Sequence, residues 1–259
     1  MKKTHINCSL PLFLLLVSLL TTATAAEATA QDVFEIEKVC MNTESMMQDH
    51  ILIGMKITYG DPAKDIAEKK IIVEAFLNDV NNHHMKDKFH NEIQKVVDLW
   101  VLIKPRLTEE ATLEESIDLR NQVATFVDKC IILGEHLAKA QGSDASQIIV
   151  LIGDMGIEVQ KISVDYLLKA WGHKDSHYYD EIKRDIALYD DLHHRLNEIE
   201  EVKTNEVIKQ ELKFIDKNFL VFKFMAQSKS GRYVPLIASK NSSKIIEHIL
   251  NIVDLEGES

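Results

Sequence analysis

The side chains best suited to chemistry in this 259-residue chain are its histidines, its cysteines and its many carboxylates. The histidines gather in three places: His83-His84-Met85 with His90, His173 with His177, and His193-His194. Imidazole and thioether suit copper or zinc, so a periplasmic copper/zinc-binding protein is one reading of these clusters. Di-metal helical bundles, however, use paired Glu-x-x-His motifs on inward faces. Here the first two clusters fall at expected turns, where polar residues belong in any case. No metal site and no cofactor is therefore expected. There is also no Gly-x-Ser-x-Gly elbow, no phosphate-binding glycine loop and no His-Glu-x-x-His. The acids at Glu109-Glu110, Glu114-Glu115 and Asp190-Asp191 read as solvated helix faces. The expectation is a protein without catalytic residues, not an enzyme.

Of the three cysteines, Cys8 precedes an apolar run near the N-terminus, which leaves Cys40 and Cys130 as a pair. In an oxidising compartment an even pair is a disulfide candidate. If the first and fourth helices are antiparallel neighbours, the two residues lie at similar heights. Such a bond would contribute ~4–5 kcal/mol by constraining the unfolded chain. The alternative is two small buried apolar residues, a common fate of free cysteine. The absence of Cys-x-x-Cys leaves no sign of redox catalysis or haem attachment.

The elements that must position these residues begin after an export signal. Residues 1–25 carry Lys2 and Lys3, an apolar stretch of about 12 residues and a small-x-small site at Ala23-Thr24-Ala25. That stretch is short of the ~20 residues a membrane span needs. Cleavage, a periplasmic location, no membrane insertion and a soluble mature protein are the expectation. Losing two lysines and no acid takes the net charge from −11 to −13. A surface that acidic argues against nucleic acid or an anionic membrane as partner.

Beyond the signal, apolar residues recur at helical spacing, as in Ile93, Val96, Val97, Trp100 and Ile103. The breaks look like helix ends: Gly60-Asp61-Pro62, the capping box Thr112-Leu113-Glu114-Glu115, Gly142-Ser143-Asp144, and Gly172 with Ser176. This predicts an all-α fold of eight helices, at about 32–59, 62–83, 87–104, 113–141, 145–171, 177–200, 204–229 and 233–253. A shift of 116 residues pairs Met41 with Ile157, Met46 with Ile162, Asp49 with Asp165 and His50 with Tyr166. Three further residues of offset pair Ile93 with Leu212 and Trp100 with Phe219. The expectation is two tandem up-down four-helix bundle repeats, residues 26–141 and 142–259.

The segment opening the second half, Leu151-Ile152-Gly153-Asp154-Met155-Gly156-Ile157-Glu158-Val159-Gln160-Lys161-Ile162-Ser163-Val164-Asp165-Tyr166, resembles the G-R-Q-R-M-L-S-Q-R-I-A-K-x-Y box of PilJ-like sensor domains. These are the N-terminal domains of type IV pilus chemotaxis transducers, related to NarX-type nitrate sensors. Gly153, Gln160, Ile162 and Tyr166 match, and Lys161 stands for an arginine. Tyr59-Gly60-Asp61-Pro62 with Ile66, and Trp100, resemble the family in the first half. The resemblance implies a helical sensory or ligand-binding domain, with Gly153, Gln160, Lys161 and Tyr166 as candidate ligand-binding residues. It also implies a membrane receptor or other envelope protein as partner, and a homodimer, since relatives work as parallel helical dimers. Two departures bear on function. Asp154 and Gly156 occupy positions where the family has arginine, and Glu44-Ser45-Met46 stands in the first half where Gln-Arg-Ile is expected. Without those guanidinium groups nitrate sensing does not carry over. The family's flanking transmembrane helices and signalling module are not seen either, so the expected protein acts through its partner, as a sensory module or as a structural docking bundle.

Overall fold

The computed structural model describes residues 28–82 and 86–257. Residues 1–25, the expected signal segment, and His83-His84-Met85 lie outside them. All regular structure among the described residues is helical: α1 Ala30–Gly54, α2 Pro62–Asn82, α3 Lys86–Ile103, α4 Leu113–Gln141, α5 Asp144–Trp171, α6 Tyr178–Glu198, α7 Glu200–Thr204, α8 Glu206–Ala226 and α9 Pro235–Gly257. A 3-10 turn, Arg106–Thr108, joins α3 to α4.

Local chemistry sets most of these ends. Thr112 caps α4 as expected, its hydroxyl accepting the Glu115 N–H at 3.3 Å; the Glu115 carboxylate accepts from that hydroxyl at 2.6 Å, not from the Thr112 backbone N–H as the expected capping box requires. Gly142 and Gly172, at φ 76° and 114°, close α4 and α5 in the left-handed region. Two expectations need correction. The first helix stops at Gly54, not near 59, because Lys56 turns left-handed (φ 59°) and the Ile57 N–H returns to the Leu52 carbonyl at 2.9 Å. The helix expected from 204 starts instead at Glu206. Asn205 breaks the chain there by accepting the Val207 and Ile208 N–H groups, leaving the short α7 before it.

α1 and α5 lie at the centre. α1 packs on α2, α4 and α5, and α5 packs on α1, α4, α6 and α9, with α3 against α4 and α8 against α9. The Tyr189 and Phe219 rings, centroids 3.5 Å apart, stack α6 on α8. Both central helices are buried over most of their surface, and they carry polar side chains such as Glu37, Glu44, Asp154 and Glu158 into the interior. From Ile148 to Leu168, Lys161 alone is not buried.

The α1–α5 seam is parallel and fitted small against large. A Cβ at Gly153 would stand 2.5 Å from a Glu37 carboxylate oxygen. One at Gly156 would stand 2.9 Å from the Met41 sulfur, and one at Gly54 2.1 Å from the Trp171 ring. Three glycines thus make room for three large side chains, and the paired positions differ by 116, 115 and 117 residues. Helix bounds recur at nearly the same offset. Adding 116 to α2 (62–82) gives 178–198, the bounds of α6.

Candidate functional site

Lys161, the one exception in the buried run of α5, opens onto a cleft of about 340 Å³. One face of α4 supplies Arg120, Ala124 and Asp128 at a spacing of four; α5 supplies Glu158, Lys161 and Val164 at a spacing of three. α6 adds Arg184, Asp185 and Leu188, and α1 adds Glu44. The lining holds carboxylates, cations and aliphatic groups, with no hydroxyl, thiol or imidazole.

The cations are already engaged. Arg120 forks onto Asp165, Nε to Oδ1 at 2.9 Å and Nη2 to Oδ2 at 2.8 Å, with Glu181 at 3.6 Å. Lys161 Nζ donates to Glu158 Oε1 at 3.0 Å, and Arg184 Nε to Asp185 Oδ1 at 3.0 Å. Burial pulls the Lys161 ammonium and the Arg120 guanidinium down, but the adjoining carboxylates outweigh it and both end above their ordinary values. Arg120 also borders an adjoining cavity of about 230 Å³ that includes Asp165, His173, Tyr178 and Glu181.

The acids are less well matched. Glu44, only 3% exposed, makes no hydrogen bond or ion pair with any described residue. Burial lifts its carboxyl to about 7 against the opposing pull of Lys161 and Arg120. Glu158 Oε2 is buried and has no hydrogen-bond partner among the described residues. Its carboxyl too is raised, by burial, despite Lys161.

Of the four residues singled out in the sequence, only Lys161 lines the cleft. Gly153 faces Glu37 across the α1–α5 seam. Gln160 is buried, and its Oε1 has no hydrogen-bond partner among the described residues. Tyr166 is buried, its hydroxyl accepting the Val234 N–H at 2.9 Å, so it fastens the α8–α9 connection. Gly153 and Tyr166 are some 20 Å apart along one helix axis, and the four do not converge. Glu44, Arg120, Glu158 and Asp185 escaped the sequence reading. The one available signal was the Glu158–Lys161 pair inside an otherwise apolar run.

Cys40 and Cys130 are free, buried thiols, and burial, with Cys130 next, pushes the Cys40 thiol well above its usual range. Glu37 lies beside them, fully buried, its carboxylate oxygens without hydrogen-bond partners among the described residues. Burial, with Asp154 next, raises the Glu37 carboxyl well above its usual range. Asp154 is lifted to about 7 by burial and by Glu135. No group of three or more His, Cys, Asp or Glu among the described residues could hold a metal ion. His193 pairs with Asp216 at 3.0 Å and His248 with Glu211 at 2.5 Å. No helix among the described residues is long and apolar enough to cross a membrane.

Charge is not spread evenly over this acidic chain. Residues 213–244 carry Lys213, Lys217, Lys223, Lys229, Arg232, Lys240 and Lys244 against one acid, Asp216. The same region, the end where α8 passes into α9, exposes Leu220, Val221, Phe224, Val234, Leu236 and Ile237.

No protein-family model, curated protein or solved structure matches the chain.

Proposed function

We propose that the chain is an exported, non-catalytic sensory or ligand-binding protein of the PilJ-like type. Two tandem four-helix repeats follow a cleaved signal segment, and a small molecule held in the α4–α5–α6 cleft alters a membrane partner in the bacterial envelope. The observation that carries this reading is the cleft itself. Its walls come from α4 in the first half and α6 in the second, over a floor from α5 and α1. A ligand bridging those walls would set the position of one half against the other, which is what a sensor must convert into a signal. The repeat is supported by the matching bounds of α2 and α6 and by the parallel α1–α5 seam at the same offset. His50 and Tyr166, 116 positions apart, serve matching roles. His50 Nδ1 lies 3.3 Å from the Leu107 carbonyl in the α3–α4 connection, as Tyr166 binds the α8–α9 connection.

Thermal melting against a panel of metabolites, anions and metals tests the reading. A specific ligand at about a hundredfold excess over its Kd stabilises by ~2.7 kcal/mol, a rise of roughly 5–10 °C at this size. The rise should vanish in Ala124→Trp, whose ring would fill the cleft. A flat panel overturns the sensory reading.

A second reading is favoured by the basic, apolar end of α8 and α9: a bundle that docks an acidic envelope protein there. A photo-crosslinker placed at Phe224 in cells should then trap one acidic partner, and reversing Lys217, Lys223 and Lys229 to Glu should abolish the adduct. An adduct insensitive to that reversal, or none, removes this reading.

A further inference from the structure

We infer that the cleft takes a small organic cation, its ammonium group seated on the Glu44 carboxylate. The inference rests on the ligand-binding reading and names the ligand's chemical class. Each cation lining the cleft already has a carboxylate: Lys161 has Glu158, Arg120 has both oxygens of Asp165, and Arg184 has Asp185. What is in surplus is acceptors. Glu44, though Lys161 and Arg120 pull on its charge, accepts no hydrogen bond from any described residue, and Glu158 Oε2 is buried with no hydrogen-bond partner among the described residues. Four carboxylates line the cleft against three cations. An arriving anion would have to draw a cation away from a buried acid, which leaves that acid uncompensated. An arriving ammonium supplies the donors that Glu44 lacks, and an isolated buried carboxylate is costly enough for that to matter.

The geometry also separates an organic cation from a metal ion. The carboxylates of the cleft come from four different helices, and among the described residues no three acidic, histidine or cysteine side chains converge as a metal requires. Ala124, Val164 and Leu188 line the cleft between the charged groups and offer a path for a short carbon chain. The net charge of −11 draws cations toward the protein from a distance.

Titration calorimetry of the purified protein with 1,4-diaminobutane tests this, with magnesium chloride and sodium nitrate as controls and Glu44→Gln as the variant. Saturable one-to-one binding of the diamine is expected, weakened at least tenfold in Glu44→Gln, with no saturable uptake of magnesium. Glu44→Gln keeps the side chain's shape and should melt at or above the wild-type temperature at pH 8, so lost binding would not report misfolding. Absence of diamine binding, or binding of equal strength in Glu44→Gln, overturns the inference. So does magnesium binding that depends on Glu44. If nitrate or another anion binds in a Lys161-dependent way while the diamine does not, the ligand class is wrong and the sensory reading stands.

Discussion

The two sides of the α1–α5 core share a framework and differ sharply in charge. On the side of α4 and α6, α5 presents Glu158 and Lys161, α4 presents Arg120, and Glu44 closes the floor. The positions offset by 116 or 119 residues on the other side are Asn42, Ser45, Ser239 and Gln160. There the Gln48 amide reaches Ser239 Oγ at 3.3 Å, and no ion pair joins those four. The buried acids differ likewise. Asp49 is held by one bond from Lys69 of the neighbouring α2, at 2.6 Å, whereas Asp165 is gripped through two bonds by Arg120 from the other half of the chain. A helical framework of this kind therefore closes without buried charge at these four positions.

The largest expected effect sets those two acids against each other. Arg120→Ala should cost about 3 kcal/mol, because it leaves Asp165 buried without its guanidinium, and Lys69→Ala about 1 kcal/mol. Denaturant midpoints would measure both, and equal losses would break the comparison.

Next comes acidity. Glu44 and Asp154 titrate near 7 in the folded protein, above their unfolded values of 4.5 and 3.8. The folded state thus holds these protons more tightly. Stability should rise as pH falls from 8 through 7, reach its full extent below about 4, and be lost again on raising the pH. Glu44 alone should contribute roughly 3 kcal/mol of this change. Glu44→Gln should be more stable than wild type at pH 8 and equal to it near pH 4. A pH-independent difference would show that the cost of Glu44 is not that of a buried charge.

A smaller loss, roughly 1–2 kcal/mol from overpacking, is expected for Gly153→Ala, whose new methyl would crowd Glu37. In a Glu37→Ala background the same change should cost under about 0.5 kcal/mol, since neighbouring sites are not additive. An additive cycle would mean that the seam does not fit by size. Least of all, Phe224→Ser should leave stability within about 0.5 kcal/mol, because Phe224 is 77% exposed.

Much of the helical plan was legible because helix ends are written locally. Thr112 with Glu115, Gly142 and Gly172 each act within a few residues of themselves. The misplaced ends at Gly54 and Asn205 arise where amphipathic spacing runs on past the break: Ile57 continues the apolar stripe, and Asn205 passes for one polar residue among many. The cleft was far less legible. Lys161 could be found because a cation interrupts an apolar run. Arg120 and Asp165 are 45 positions apart, and Glu44 and Lys161, which line the same cleft, are 117 apart, so nothing local ties them. The matched positions Gly153, Gln160 and Tyr166 point to the right helix but to three different heights, with Tyr166 turned to the face opposite the other two.

The parallel seam has a further consequence, for the order in which the protein can assemble. Most of the surface that covers one flank of α1 belongs to α5, whose last residue is Trp171. A growing chain can pair α1 with α2 by a short, local step, yet Glu37 and Met41 keep an open side until some 116 further residues have been delivered. Contacts of such long range close slowly. The central helix made first is thus the one that must wait longest, and its sticky flank is the part of this protein most exposed to capture by a chaperone or to mispairing with a second copy.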